Sequence, residues 1–129
     1  MNLKGTSLIG TQSGKETNKF SYAHDPSTGE KLEPKFYEAT REEVAKAAEL
    51  AGEAFTTYRN TTGAERAAFL RAIADNIDGA KDAIAFRATQ ETGLPEGRIL
   101  LETGRTVNQL RMFADLVEEG ILPSGRPVS

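Results

Sequence analysis

The sequence predicts a mainly α segment of about four helices, preceded by an N-terminal β-hairpin or meander. Three observations predict it. From Thr40 onward apolar residues recur every three or four positions, in blocks opened by capping residues and closed by glycine. Before Thr40 short runs of β-branched and aromatic residues alternate with turn residues. The last nine residues, ILPSGRPVS, keep no period. The expected organisation is a strand and turn arm over 1–39, a helical part over 40–120 and an irregular tail over 121–129.

The strand region is read first. TSLIGTQ and NKFSYAH flank SGKET, whose Ser13-Gly14 is a turn signal, so a hairpin joining these two segments is expected. DPSTGE follows as a second turn, with Pro26 fixing φ early and Gly29 free to take a positive φ. KLEPKFYEA leaves that turn extended. Pro34 cannot donate to a ladder, which predicts an edge strand or an irregular arm.

Four helices then account for the remainder. Thr40 stands three residues before Glu43, the spacing of a capping box, and Val44, Ala47, Ala48, Ala51, Ala54, Phe55 and Tyr58 form an alanine-rich stripe suited to close packing. Thr62 and Glu65 repeat the spacing, and Phe69, Leu70, Ile73, Ala74 and Ile77 are the expected buried face of the second helix, which ends between Asn76 and Gly79. The third spans about Ala80 to Thr92, burying Ala80, Ile84, Ala88 and Phe86, with Gly93 as its C-cap. Leu94-Pro95 starts the fourth, with proline in its first turn. Ile99, Thr103, Val107, Leu110, Phe113, Ala114 and Val117 carry its stripe to Gly120.

Composition bounds the function. With 129 residues, 38% hydrophobic and 27% charged, the chain has the make-up of a globular domain with its own core, which excludes disordered and collagen-like classes. Lys and Arg number 16 against 19 Asp and Glu, without long single-sign runs, so no nucleic-acid partner is expected. The absence of cysteine excludes a disulfide framework, a thiolate zinc site and a cysteine nucleophile from these 129 residues, and fits a cytoplasmic setting. The N-terminus MNLKGTSLIG lacks a signal-peptide core, and no window approaches the roughly 18 apolar residues of a membrane span.

Candidate chemistry is sparse. His24 is the single histidine and reads as a surface or turn residue. The glycines of GTSLIGTQSG lack the lysine-hydroxyl ending of a phosphate loop and read as a strand turn. Glu42-Glu43 and Glu118-Glu119 are adjacent pairs at helix ends, which point apart and read as capping or solvated charges; no metal site is expected. Arg105, one turn from Leu101 and beside Gly104, has two readings: a guanidinium facing a cavity, or a surface arginine paired with Glu102 or Asn108.

The ordered blocks DPSTGE, ATREEVAKAAELAGEAF, ERAAFLRAIADNI, ATQETGLP and LRMFADL resemble the N-terminal portion of the aldehyde dehydrogenase superfamily. The resemblance covers about Leu8 to Gly120. It departs at Asp25, where the family has Asn, at Tyr58, where it has Trp, and at Leu94, where it has Lys. GEKLEPKFYEAT and ETGLPEGRILLETGRTVNQLRMFADLVEEG are most similar to the branch acting on ketoglutaric semialdehyde (2,5-dioxovalerate).

The resemblance implies part of an α/β fold, truncated before the nucleotide-binding sheet. It implies an NAD- or NADP-dependent parent enzyme in which a cysteine thiolate attacks the aldehyde and a glutamate activates water, both further along the chain. The chain alone is accordingly expected to be inactive and to bind no cofactor, its partner being the remainder of the enzyme or a further copy of itself. In relatives the fourth helix runs along the mouth of the substrate tunnel, so Arg105 and Leu101 are the expected contacts to a small aldehyde. The alternative is a stand-alone helical self-association or interaction module.

Overall fold

The computed structural model describes residues 3–120. The chain divides into two compact units, one running up to Asn60 and the other beginning at Thr61.

The first unit holds four short strands and one helix. β1 (Leu8–Ile9) pairs antiparallel with β2 (Gln12–Ser13), and β3 (Phe20–His24) pairs antiparallel with β4 (Lys31–Tyr37). The hairpin expected between 6–12 and 18–24 across Ser13-Gly14 does not form. The chain reverses earlier, at Gly10, whose φ of 61° suits a residue without Cβ. DPSTGE then folds β4 back onto β3. Asp25 Oδ1 accepts hydrogen bonds from the amide and hydroxyl of Ser27, and Gly29 takes the anticipated positive φ, 74°. Pro34 lies within β4, beside an irregularity in its register, and the peptide bond preceding it is cis.

Helix α1 (Arg41–Tyr58) starts where the sequence places it. Thr40 Oγ1 accepts from the Glu43 amide while the Glu43 carboxylate accepts from the Thr40 amide. Its alanine-rich stripe remains uncovered: Val44 is 60% and Phe55 59% exposed. The helix meets the β1–β2 hairpin through Glu43 and Leu50 instead. A Cβ on Gly10 would sit 3.3 Å from Leu50 Cδ1.

The second unit packs α2 (Gly63–Gly79) and α3 (Lys81–Thr92) against α4 (Glu96–Glu119). Thr62 and Glu65 form a second capping box, and left-handed Gly93 and Gly120 end α3 and α4. Pro95 is the N-cap of α4 rather than a residue of its first turn. The buried positions are Ala67, Ala74, Ala85, Ile99, Thr103, Val107 and Ala114.

Three aromatic residues expected inside lie outside. Phe69 is 54% and Phe86 64% exposed, and Phe113 is also exposed. Small residues let the helix axes approach, and Ala85 and Ala114 occupy the seam. Phe86 and Phe113 follow or precede those alanines by one residue, and so are rotated about 100° away from the seam. Phe69 lies across α2 from Ala67 and Ala74. The irregular tail expected over 121–129 lies outside the described residues.

Candidate functional site

The two sequence-predicted substrate contacts share one face of α4. Leu101 and Arg105 are four residues apart, so their side chains are neighbours on the helix surface. Both are exposed, Leu101 at 77%. The Arg105 guanidinium makes no hydrogen bond or ion pair among the described residues. Its proposed partner Glu102 instead accepts from Arg98 Nε at 3.1 Å. Met112, half exposed, continues the same outward face two turns on. Together they form a strip with one unpaired guanidinium between apolar side chains, able to receive an anionic group only by a charge-assisted contact at the surface.

A separate groove of about 370 Å³ opens between α2, α3 and α4, lined by Ile77, Ile84, Ala88, Ile99, Glu102 and Thr103 among others. Neither Leu101 nor Arg105 lines it. Thr103 Oγ1 donates to the Ile99 carbonyl within α4 at 2.9 Å, so this buried hydroxyl is already satisfied.

Charged side chains hold this α4 face in place. Arg71 of α2 donates to Asp115 and Glu118, and Arg111 of α4 donates to Asp75 and Asp78. Residues 71, 75 and 78 share one face of α2 and residues 111, 115 and 118 one face of α4, so these reciprocal pairs tie the two helices along a single seam. The Arg71 guanidinium holds the Glu118 carboxyl below its ordinary value, while its two carboxylates push Arg71 upward.

In the first unit a pocket of about 310 Å³ lies between β2 and the start of α1, lined by Gln12, Lys15, Glu43, Lys46 and Leu50 among others. Glu43 governs it. One carboxylate oxygen accepts from the Lys15 amide at 2.6 Å and the other from the Thr40 amide at 2.8 Å. Hydrogen bonds from those two amides lower the carboxyl below its ordinary 4.5, so it stays charged though buried. A Cβ on Gly14 would meet Glu43 Oε1 at 2.8 Å, so a larger residue there would press on the carboxylate that the Lys15 and Thr40 amides hold. Sequence spacing identified Thr40 with Glu43; the reach to Lys15, 28 residues away, has no local signal.

His24 ends β3 and is exposed. No group of three His, Cys, Asp or Glu suited to a metal exists among the described residues. Their strands form two separate two-stranded antiparallel sheets, without a glycine turn leading from a parallel strand into a helix. The described residues thus lack the strand, glycine turn and helix N-terminus that cradle a pyrophosphate in the doubly wound dinucleotide-binding unit. No helix is long and apolar enough to cross a membrane.

Comparison with known proteins identifies the setting of these elements. The aldehyde dehydrogenase family model matches residues 12–126. The chain is 47% identical over 121 residues to alpha-ketoglutaric semialdehyde dehydrogenase 2 of Azospirillum brasilense, covering 93% of this chain and 23% of the relative. It is 46% identical over 85 residues to alpha-ketoglutaric semialdehyde dehydrogenase of Acinetobacter baylyi, covering 66% and 16%. Among solved structures, succinate-semialdehyde dehydrogenase from Burkholderia pseudomallei superposes with a TM-score of 0.81 at 28% identity, over 94% of this chain and 26% of that one. The chain thus spans about a quarter or less of the length of these relatives. With the family match extending over most of its residues and the helices and strand pairs superposing on a solved member, the chain belongs to the aldehyde dehydrogenase family.

Proposed function

We propose that these residues form the N-terminal scaffold of an NAD- or NADP-dependent aldehyde dehydrogenase that oxidises ketoglutaric semialdehyde (2,5-dioxovalerate) to 2-oxoglutarate. The observation that carries this reading is the 47% identity to an alpha-ketoglutaric semialdehyde dehydrogenase across 93% of the chain. The scaffold supplies no cysteine nucleophile, since the 129 residues contain no cysteine. Its role is positional. Capped helices and the Arg71 and Arg111 clamps fix α4, and α4 presents Arg105 with Leu101 beside it.

Ketoglutaric semialdehyde carries a carboxylate remote from its aldehyde. Arg105, exposed and without a partner among the described residues, holds that carboxylate by a bidentate charge-assisted pair, while Leu101 packs against the carbon chain. Such a contact persists from bound substrate to transition state, so its loss raises KM more than it lowers kcat. In a polypeptide that contains this chain together with the catalytic cysteine, Arg105→Met is expected to raise KM for the carboxylated semialdehyde by roughly ten- to a hundredfold. A neutral aldehyde of similar length should be little affected. Equal effects on the two substrates would reduce Arg105 to a surface residue and remove the substrate argument.

A further inference from the structure

In the β3–β4 ribbon the outer edge of β4 meets another backbone segment at Tyr37, whereas the outer edge of β3 meets none among the described residues. The Glu38 amide donates to the Lys19 carbonyl at 2.9 Å, and the Asp25 amide to the Glu30 carbonyl at 2.9 Å. Bonded and non-bonded rungs alternate in an antiparallel ladder. Phe20 opposite Tyr37 and His24 opposite Lys31 are therefore non-bonded rungs, with amides and carbonyls turned away from the partner strand. On the β4 side this is visible directly: the Tyr37 amide donates outward to the Gly5 carbonyl at 2.8 Å. On the β3 side the corresponding groups of Phe20 and His24 meet no backbone group among the described residues.

This edge lacks the usual protection. The run Phe-Ser-Tyr-Ala-His contains no proline, lysine or carboxylate, and the register irregularity places its extra residues in β4, leaving β3 regular. A two-stranded ribbon is marginal on its own and gains from further strands.

We propose that the outer edge of β3 pairs with the same edge of a second copy of this chain, antiparallel and two-fold about Tyr22, so that two ribbons make one four-stranded sheet. The symmetry selects this occupant. With Tyr22 facing Tyr22, Phe20 faces His24 of the second copy, which brings the outward amides and carbonyls of both residues into bonded rungs. One residue further out at each end, Lys19 faces Asp25 of the second copy, so opposite charges flank the uncharged run twice. The next pairs, Asn18 with Pro26 and Thr17 with Ser27, bring no like charges together. This inference is independent of the aldehyde chemistry.

Sedimentation equilibrium of the 129-residue chain should show a concentration-dependent dimer. The chain has no cysteine, so Tyr22→Cys introduces a single thiol on the two-fold axis, and oxidation should yield a covalent dimer. Glu53→Cys, on exposed α1, should not cross-link. Lys19→Glu places like charges at both ends and should weaken the dimer roughly tenfold without changing the circular dichroism of the folded chain. A monomer at every concentration would overturn the proposal, leaving the edge to a strand of another protein or of a longer polypeptide. So would a dimer in which Tyr22→Cys fails to cross-link, in which both cysteine variants cross-link equally, or which Lys19→Glu leaves unchanged.

Discussion

Replacing Gly63 with alanine tests the α2–α4 contact by setting two opposed effects against each other. Gly63 opens α2, and alanine is ordinarily the better helix former by up to about 1 kcal/mol. A Cβ built on Gly63, however, would lie 2.3 Å from the Val117 carbonyl oxygen of α4, where ordinary contact begins at 3.4 Å. The obstacle is main chain, so no rotamer change relieves it; the two helices must separate or shear by about 1 Å. Forcing extra volume into a packed contact costs about 1–3 kcal/mol. The steric cost wins, and Gly63→Ala is expected to destabilise the chain by about 1–2 kcal/mol. Gly104→Ala provides the contrast. Gly104 lies in the interior of α4, with nothing within 4 Å of its built Cβ, so only the helix preference acts and a gain of about 1 kcal/mol follows. Urea unfolding followed by circular dichroism reads both, provided the slopes agree. If Gly63→Ala proves as stable as Gly104→Ala, the close approach of α2 to the end of α4 is refuted.

Removing the α1 cap by Thr40→Ala should cost about 1 kcal/mol, measurable as a lower urea midpoint, because Thr40 Oγ1 satisfies the Glu43 amide. Acid should destabilise both units. The carboxyls of Glu43, Glu65 and Glu118 are all held below their ordinary 4.5, so the unfolded chain takes up protons first as the pH falls. Their contribution is complete above the ordinary carboxyl value of the unfolded chain and is lost as pH falls through the lower folded values. Glu43→Gln should flatten this acid limb in stability measurements against pH; an unchanged limb would count against the Glu43 bonds to Thr40 and Lys15.

Local chemistry in the sequence was sufficient wherever a few neighbouring residues decide the outcome. Thr40 with Glu43, Thr62 with Glu65, Gly29, Gly93 and Gly120 all do what their types and spacing imply. What escaped was anything decided by a remote partner. Periodicity gives the apolar side of α2, α3 and α4 to within one residue, but the choice between Ala85 and Phe86, or Ala114 and Phe113, depends on how closely another helix approaches. The strand pairing was missed for a related reason. Ser13-Gly14 has turn chemistry, yet Gly14 packs against Glu43, 29 residues along the chain, and the reversal falls to Gly10. The placement of Arg105 and Leu101 on one exposed face follows from helical spacing alone. That Arg98 takes Glu102 and leaves Arg105 without it is a matter of side-chain geometry no periodicity encodes.

The central claim, that this chain is a scaffold whose chemistry resides elsewhere, meets its most direct test in a turnover assay. The purified 129-residue chain is incubated with 2,5-dioxovalerate and NAD+ or NADP+, and the absorbance of the reduced nicotinamide is followed. The account predicts no rate above that of the blank, because the 129 residues include no cysteine to attack the aldehyde and the described residues no strand-turn-helix unit to seat a dinucleotide. Aldehyde-dependent reduction that scales with chain concentration, and that is abolished by a substitution within residues 1–129, would contradict it.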